Sequence, residues 1–299
     1  MTHKLWNFVK KNILLIIVFG AGVTTAIIIA FAATSFFSFP GNSGASVALT
    51  VSSPFQYNFI VPGQLNEAGS MNETTSPYWW LNSGGYFTLK DGMGMTAQGS
   101  VATSNYWFKA YASANSLDTD GGTHPQNLFR LVTRSTWDNV RQEVSYYIVK
   151  DNFSSSPNHN ASNGLLLMSR YADNGQTLYY AGIRVDGTAV IKKKYKGVYY
   201  TMAQKKVFPG TYSGTQDDKN LIPHEQWIRL RVETKTNTGG TVTVTLSMQL
   251  PGKAWQELLK VTDTGKNFGG TPPISNPGYM GLRTDFMDVK FKDYRLEKI

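Results

Sequence analysis

The chain of 299 residues is 41% hydrophobic and 13% aromatic, enough for a packed core, and its 28 glycines fit a fold with many turns, so disorder throughout is excluded. It contains no cysteine, which excludes disulfides, thiolate metal sites and cysteine nucleophiles. The net charge is +9; without Lys4, Lys10 and Lys11, which precede the first apolar run, it is +6, an excess that speaks of nonspecific attraction to anionic partners and not of a fold.

In chain order, residues 1–12 carry those lysines and read as a cytoplasmic amino terminus. Residues 13–33, ILLIIVFGAGVTTAIIIAFAA, are uncharged. As a helix they would be about 31 Å long, enough to cross the hydrocarbon core of a bilayer. Lysines on one side only predict a single-pass segment with everything after residue 40 outside the cell. The small-residue pattern at Ala30 to Ala32 keeps a second reading open, a signal sequence cleaved near Ala32 and a secreted domain. Residues 34–75, rich in Gly, Ser, Pro and Asn, read as a linker in which SVALTV and FQYNFIV are candidate edge strands.

From residue 76 onward, alternating or β-branched and aromatic runs recur between Gly, Asn, Asp and Pro: GYFTLKD, SNYWFKAYAS, NLFRLVTRS, QEVSYYIVK, GLLLMSRY, LYYAGIRV, TAVIKKK, VYYTMA, WIRLRVETK, TVTVTLSMQL, WQELLKV and FMDVKFKDYRLEKI. The fold class they predict for residues 76–299 is all-β, an antiparallel β-sandwich (jelly roll) preceded by one N-terminal transmembrane helix. Asp186-Gly187 is a two-residue hairpin signal. It would pair Ile183 with Val190, Ala181 with Lys192 and Tyr179 with Lys194 on one face, and Tyr180 with Lys193 on the other. The three consecutive lysines would then emerge on both faces at an end of the sheet that projects beyond the core, with Tyr179 and Tyr180 over their stems. Two other strands are sharply two-faced: Ile228, Leu230 and Val232 alternate with Trp227, Arg229 and Arg231, while Val242, Val244 and Leu246 alternate with Thr241, Thr243 and Thr245.

The closing stretch GYMGLRTDFMDVKFKDYRLEKI, with HEQWIRLRVETK and the Thr/Val strand after it, resembles the concanavalin A-like lectin/glucanase superfamily, including its laminin-G-like jelly rolls. The pattern falls on Gly278, Gly281, Leu282, Val289, Phe291, Asp293, Tyr294 and Leu296. The resemblance spans roughly residues 76 to 299 and implies a carbohydrate-binding sandwich whose partner is a polysaccharide or glycoprotein glycan; the basic balance favours an acidic one. The superfamily's Glu-x-Asp-x-x-Glu strand is missing, and with it the paired carboxylates of a glucanase. A weaker resemblance is to jelly-roll polysaccharide lyases, which eliminate across uronic acids and use Arg beside a His or Tyr acid and base. YYAGIRV matches part of their Tyr-x-Lys-Ala-Gly-x-Tyr strand, without the Lys or the second Tyr. This alternative implies Arg141, Tyr147, Tyr180 and His124 as the catalytic set.

Candidate ligand-binding residues are Arg130, Arg134, Arg184, Lys192, Lys194, Arg229, Arg231 and Trp227, because guanidiniums and ammoniums pair with carboxylates and an indole stacks on a sugar. Asp118 and Asp120, in LDTDGG, have the spacing of a short calcium loop, and the resemblance adds Asp293 as a ligand for a structural Ca2+. Trp79 and Trp80 form a possible stacking platform, with at least one expected in the core. A third reading is a structural cell-surface or adhesion module with a protein partner. The lysines are scattered and no RNP-like or helix-turn-helix pattern occurs, so nucleic acid is not an expected partner.

Overall fold

The computed structural model describes residues 44–214 and 220–299. Its compact unit runs from Ala45 to Ile299, so residues 45–75 belong to the same body as the strands that follow. The expected membrane span at residues 13–33 lies outside the described residues. Among those described, no helix is long and apolar enough to cross a membrane.

Two antiparallel sheets form the sandwich. The nine-stranded sheet contains β1 (Phe55–Tyr57), β2 (Gly63–Asn66), β4 (Tyr86–Lys90), β5 (Met93–Thr96), β7 (Val140–Asp151), β12 (Ile228–Thr236), β13 (Val242–Gln249), β14 (Gln256–Asp263) and β16 (Met287–Lys298). Its order is β14-β13-β12-β7-β16-β5-β4-β2, with β1 also paired on β16. The seven-stranded sheet contains β3 (Trp79–Ser83), β6 (Leu128–Trp137), β8 (Gly164–Ala172), β9 (Thr177–Arg184), β10 (Thr188–Tyr195), β11 (Val198–Lys206) and β15 (Gly278–Asp285), in the order β11-β10-β9-β8-β15-β6-β3.

Period-two alternation decides what fills the space between the layers. Ile228, Leu230 and Val232 of β12 and Val242, Val244 and Leu246 of β13 enter the core, as their pattern requires. An aromatic seam joins them, with Trp79 edge-on to Tyr294 at 4.7 Å and Phe129 stacked on Phe291 at 5.5 Å. The Trp79-Trp80 pair is therefore no free platform. Trp79 is core, and Trp80 is buried on the far side of its sheet with its indole N–H donating to the Ala68 carbonyl at 2.8 Å.

One expected strand is a helix. SNYWFKAYAS forms α1 (Tyr106–Ala114), begun by Asn105, whose side chain accepts the Trp107 N–H at 2.8 Å as an N-cap. Trp107 and Tyr111, four residues apart, form its buried face. Their β-forming chemistry misleads a reading by propensity, because tertiary packing outweighs it. SVALTV is also not a strand. It runs along the sandwich held by Ser46 and Leu49, whose N–H groups donate to the carbonyls of Thr74 and Pro77.

The hairpin after β9 differs from expectation by one residue. The Gly187 N–H donates to the Arg184 carbonyl at 2.8 Å with Gly187 at φ 76°, the three-residue loop that closes on a left-handed glycine. The pairs are therefore Ile191 with Ala181, Lys192 with Tyr180, Lys193 with Tyr179 and Lys194 with Leu178. A slip of one residue turns every side chain over. Lys193 consequently lies in the core at 0% exposure, paired with Asp263 at 2.6 Å and donating to the Thr271 and Pro272 carbonyls at 2.9 and 2.8 Å. The sheet does not project beyond the core. Lys192 and Lys194 share the opposite face with Tyr180.

Candidate functional site

The side of the seven-stranded sheet that faces away from the core brings Arg130, Arg184, Arg283, Lys192 and Lys194 together. Its floor is a second apolar cluster that includes Trp80, Val132, Leu166, Met168, Leu178, Tyr180 and Val190. Register sets the rows above it. Arg130 of β6 stands directly opposite Arg283 of β15, which stands opposite Leu166 of β8; Leu166 is followed by Gly182 and Val190. In the next row Met168 is followed by Tyr180 and Lys192. Gly182 is needed where it is, because a Cβ there would collide with the Leu165 carbonyl oxygen. That glycine leaves the floor low between Arg283 and Lys192.

Rings and cations interleave across this face. Tyr180 stacks on Tyr199, with centroids 6.1 Å apart and planes 19° apart. Arg283 lies over Tyr180 at 5.3 Å and Lys194 over Tyr199 at 5.0 Å. Five cations, Arg130, Arg184, Arg283, Lys192 and Lys194, face the carboxylates of Asp285 and Asp186, with Glu67 near Arg130 at the margin. Asp285 accepts from Arg283 at 2.9 Å and Asp186 from Arg184 at 2.8 Å. Lys194 donates to the Gly175 carbonyl at 2.8 Å, and Arg130 reaches Asn82 at 3.4 Å. The Lys192 ammonium makes no hydrogen bond or ion pair among the described residues. Burial, with Arg184 and Arg283 nearby, pushes its pKa below the ordinary lysine range. Burial also lowers that of Lys194, with Arg130 and Arg283 adding to the effect against the opposing influence of Tyr180. Like charges opposite one another on adjacent strands destabilise a sheet, so Arg130 against Arg283 is a cost that an anion would relieve.

At the margin of this face Glu67 accepts from the Tyr111 hydroxyl at 2.5 Å and from the Gly85 N–H at 2.9 Å, and burial raises its pKa. Arg134 lies at the other margin, where it donates to the Ser46 and Ser76 carbonyls at 2.8 Å and so ties down the incoming chain. It is a structural anchor.

The outward side of the nine-stranded sheet holds Arg141, Tyr147, Trp227, Arg229, Arg231 and Asp293 of the expected set, and there the arginines are ion-paired while Lys290 and Lys292 lie over the rings of Tyr147 and Trp227. Glu143 accepts from Arg231 at 2.7 Å and from Arg229 at 3.2 Å. Arg141 pairs with Glu233 at 2.6 Å and with Glu297 at 3.5 Å. Both guanidiniums of β12 lie over the Trp255 ring, Arg231 at 4.0 Å and Arg229 at 5.0 Å. Trp227 packs on Tyr147 at 5.3 Å and carries Lys292 over its other part at 4.3 Å.

The residues expected to act together in elimination are thus not brought together. Arg141 and Tyr147 face outward from one sheet and Tyr180 from the other, on opposite sides of the core. His124 is in the turn before β6, where its Nδ1 pairs with Asp120 at 2.8 Å and its Nε2 meets Ser100 at 3.3 Å. Of the expected calcium ligands, Asp118 and Asp120 hold the same loop, while Asp293 lies apart from them. Asp118 accepts from Ser156 at 2.5 Å and Asn158 at 3.0 Å, Asp120 from Ser154 at 2.6 Å, and Asp293 from Ser145 at 3.1 Å on the nine-stranded sheet. Among the described residues no three acidic or histidine side chains cluster as a metal site.

Arg283, Tyr199 and Asp285 were missed by sequence reasoning. Arg283 lies inside the closing motif, where a structural reading absorbed it. The usable signal was alternation, which places Arg283 opposite in facing to Leu282 and Thr284.

No family model matches the chain, and no curated protein matches it. Among solved structures the chain is similar to the carbohydrate binding module CBM66 from Bacillus subtilis, at 13% identity over 57% of this chain and 82% of that one, TM-score 0.39. It is similar to a beta-1,3-1,4-glucanase (lichenase) derived from a mouse hindgut metagenome, at 9% identity over 83% of this chain and 100% of that one, TM-score 0.44. A beta-glucanase of Bacillus licheniformis gives 12% identity, 84% and 100% coverage and a TM-score of 0.42.

Proposed function

We propose that the outward side of the seven-stranded sheet is a binding surface for an acidic polysaccharide. The observation that carries this reading is Lys192, a half-buried ammonium without a partner, set in a field of Arg184 and Arg283 beside the Tyr180-Tyr199 stack. Desolvating an unpaired cation is a cost that an uronate carboxylate or a sulfate ester repays, while aromatic faces take up the apolar side of a pyranose. Arg283 and Arg130 offer planar donors to a second anionic group or to ring hydroxyls. Presentation outside the cell by the apolar run at residues 13–33 completes the reading, with protease shaving of intact cells as its check.

Titration of the full chain with polygalacturonate tests the surface. Binding is expected to weaken as salt rises, and Lys192→Ala is expected to weaken it about tenfold, equivalent to about 1.4 kcal/mol. Polygalacturonate binding that is absent, or equal in wild type and Lys192→Ala, would sink the reading.

A further inference from the structure

The nine-stranded sheet carries a groove of about 530 Å³ on its outward side, lined among others by Arg141, Glu143, Arg231, Asp293, Arg295 and Glu297. Its size is that of a small-ligand pocket, on the order of 300–1,000 Å³. We propose that this groove is a second binding site, on the opposite side of the sandwich from Lys192, and that it takes an uncharged polyhydroxyl ligand, a neutral glycan segment.

Charge sets the ligand class. Arg141, Glu143, Arg229, Arg231 and Glu297 are already paired along the groove, and the two groups with spare capacity, Asp293 and Arg295, are of opposite sign, so a free anion or cation gains little by entering. A sugar hydroxyl both donates and accepts, and a surface offering both roles at short intervals matches it. Strand β16 slips register against β7 between Lys292 and Arg295, and Asp293 occupies that bulge at φ 54°. Its carboxylate is exposed, Oδ2 accepts from Ser145 at 3.1 Å, and Oδ1 has no partner among the described residues. A bulge re-aims a side chain, and here it aims an acceptor into the groove. Beside it Arg295 has Glu297 at 3.5 Å as its ion-pair partner, which leaves most of its guanidinium donors available. Asp293 and Arg295 thus form an adjacent acceptor and donor pair suited to vicinal hydroxyls. Arg229 and Arg231, which also line the groove, lie over the Trp255 ring at 5.0 and 4.0 Å.

This site stands independently of the cationic face, and paired variants separate the two. The full chain is titrated calorimetrically with cellohexaose, xylohexaose and mannohexaose at millimolar concentration, alongside hexagalacturonate. At least one neutral hexasaccharide is expected to bind wild type. Asp293→Asn and Arg295→Gln should each lower that affinity about tenfold, leave hexagalacturonate binding unchanged and keep the urea midpoint, since both side chains are on the surface. Lys192→Ala should leave the neutral ligand unaffected. The proposal is overturned if none of the three neutral probes binds, if their binding survives both groove variants, or if it is lost in Lys192→Ala.

Discussion

The two outward faces of this sandwich use the same residue types to opposite ends. On the nine-stranded sheet every arginine of the central strands meets a carboxylate, Glu143 serving Arg229 and Arg231 while Glu233 and Glu297 serve Arg141. On the seven-stranded sheet five cations share Asp186, Asp285 and, at the margin, Glu67; Arg130 faces Arg283 across adjacent strands, and Lys192 has no partner. A paired face contributes to rigidity, whereas a face with surplus charge has given up stability and holds that free energy in reserve for a ligand. Counting cations does not separate the two faces. Counting the acceptors each cation can reach does.

The sharpest calibration comes from the inner side of the lysine strand. Lys193→Met leaves Asp263 buried with the Tyr179 hydroxyl, at 2.7 Å, as its remaining side-chain partner. A loss of about 3–5 kcal/mol in urea unfolding is expected. On the paired face, Glu143→Ala strands two guanidiniums and should cost about 1–3 kcal/mol by the same measurement. On the surplus face, Lys192→Ala should change stability by less than about 0.5 kcal/mol or raise it slightly, because it removes a desolvated charge from among like charges. Equal losses in Glu143→Ala and Lys192→Ala would erase the contrast.

Two gentler perturbations sharpen it. Raising salt from about 0.1 to about 1 M shortens the Debye length from about 10 to about 3 Å, so polygalacturonate affinity should fall while urea stability changes little. The effect of pH follows from the sign of the Lys192 shift. Its folded pKa is lowered, so the charged ammonium opposes folding below that value and this cost disappears as pH rises through it. Binding needs the charged form, and affinity should therefore decline at lower pH than an ordinary lysine would dictate. In Lys192→Ala that alkaline decline should be shallower.

Much of the architecture was legible because burial on one side forces alternation. Strands β12 and β13 could be assigned to the core residue by residue, and the closing strand β16 followed from its motif. The helix α1 was not legible, since Tyr106, Trp107, Phe108 and Tyr111 favour strands and only the Asn105 cap argues otherwise. The site was half legible. Alternation groups Arg229 with Arg231 and Lys192 with Lys194, yet it cannot say whether a carboxylate from a strand distant in sequence, such as Glu143, arrives beside them. The expected grouping of Arg141, Tyr147 and Tyr180 failed for that reason, because it required knowing which sheet each strand joins.

The loop at Val185 to Gly187 works as a reading frame for the lysines. Deleting one of its residues leaves two outcomes: a two-residue turn that keeps the present pairs, or a one-residue slip of β10 that drives Lys192 and Lys194 inward and delivers Lys193 to solvent. The urea midpoint of the deletion variant tells them apart, because only the slip uncouples Lys193 from Asp263.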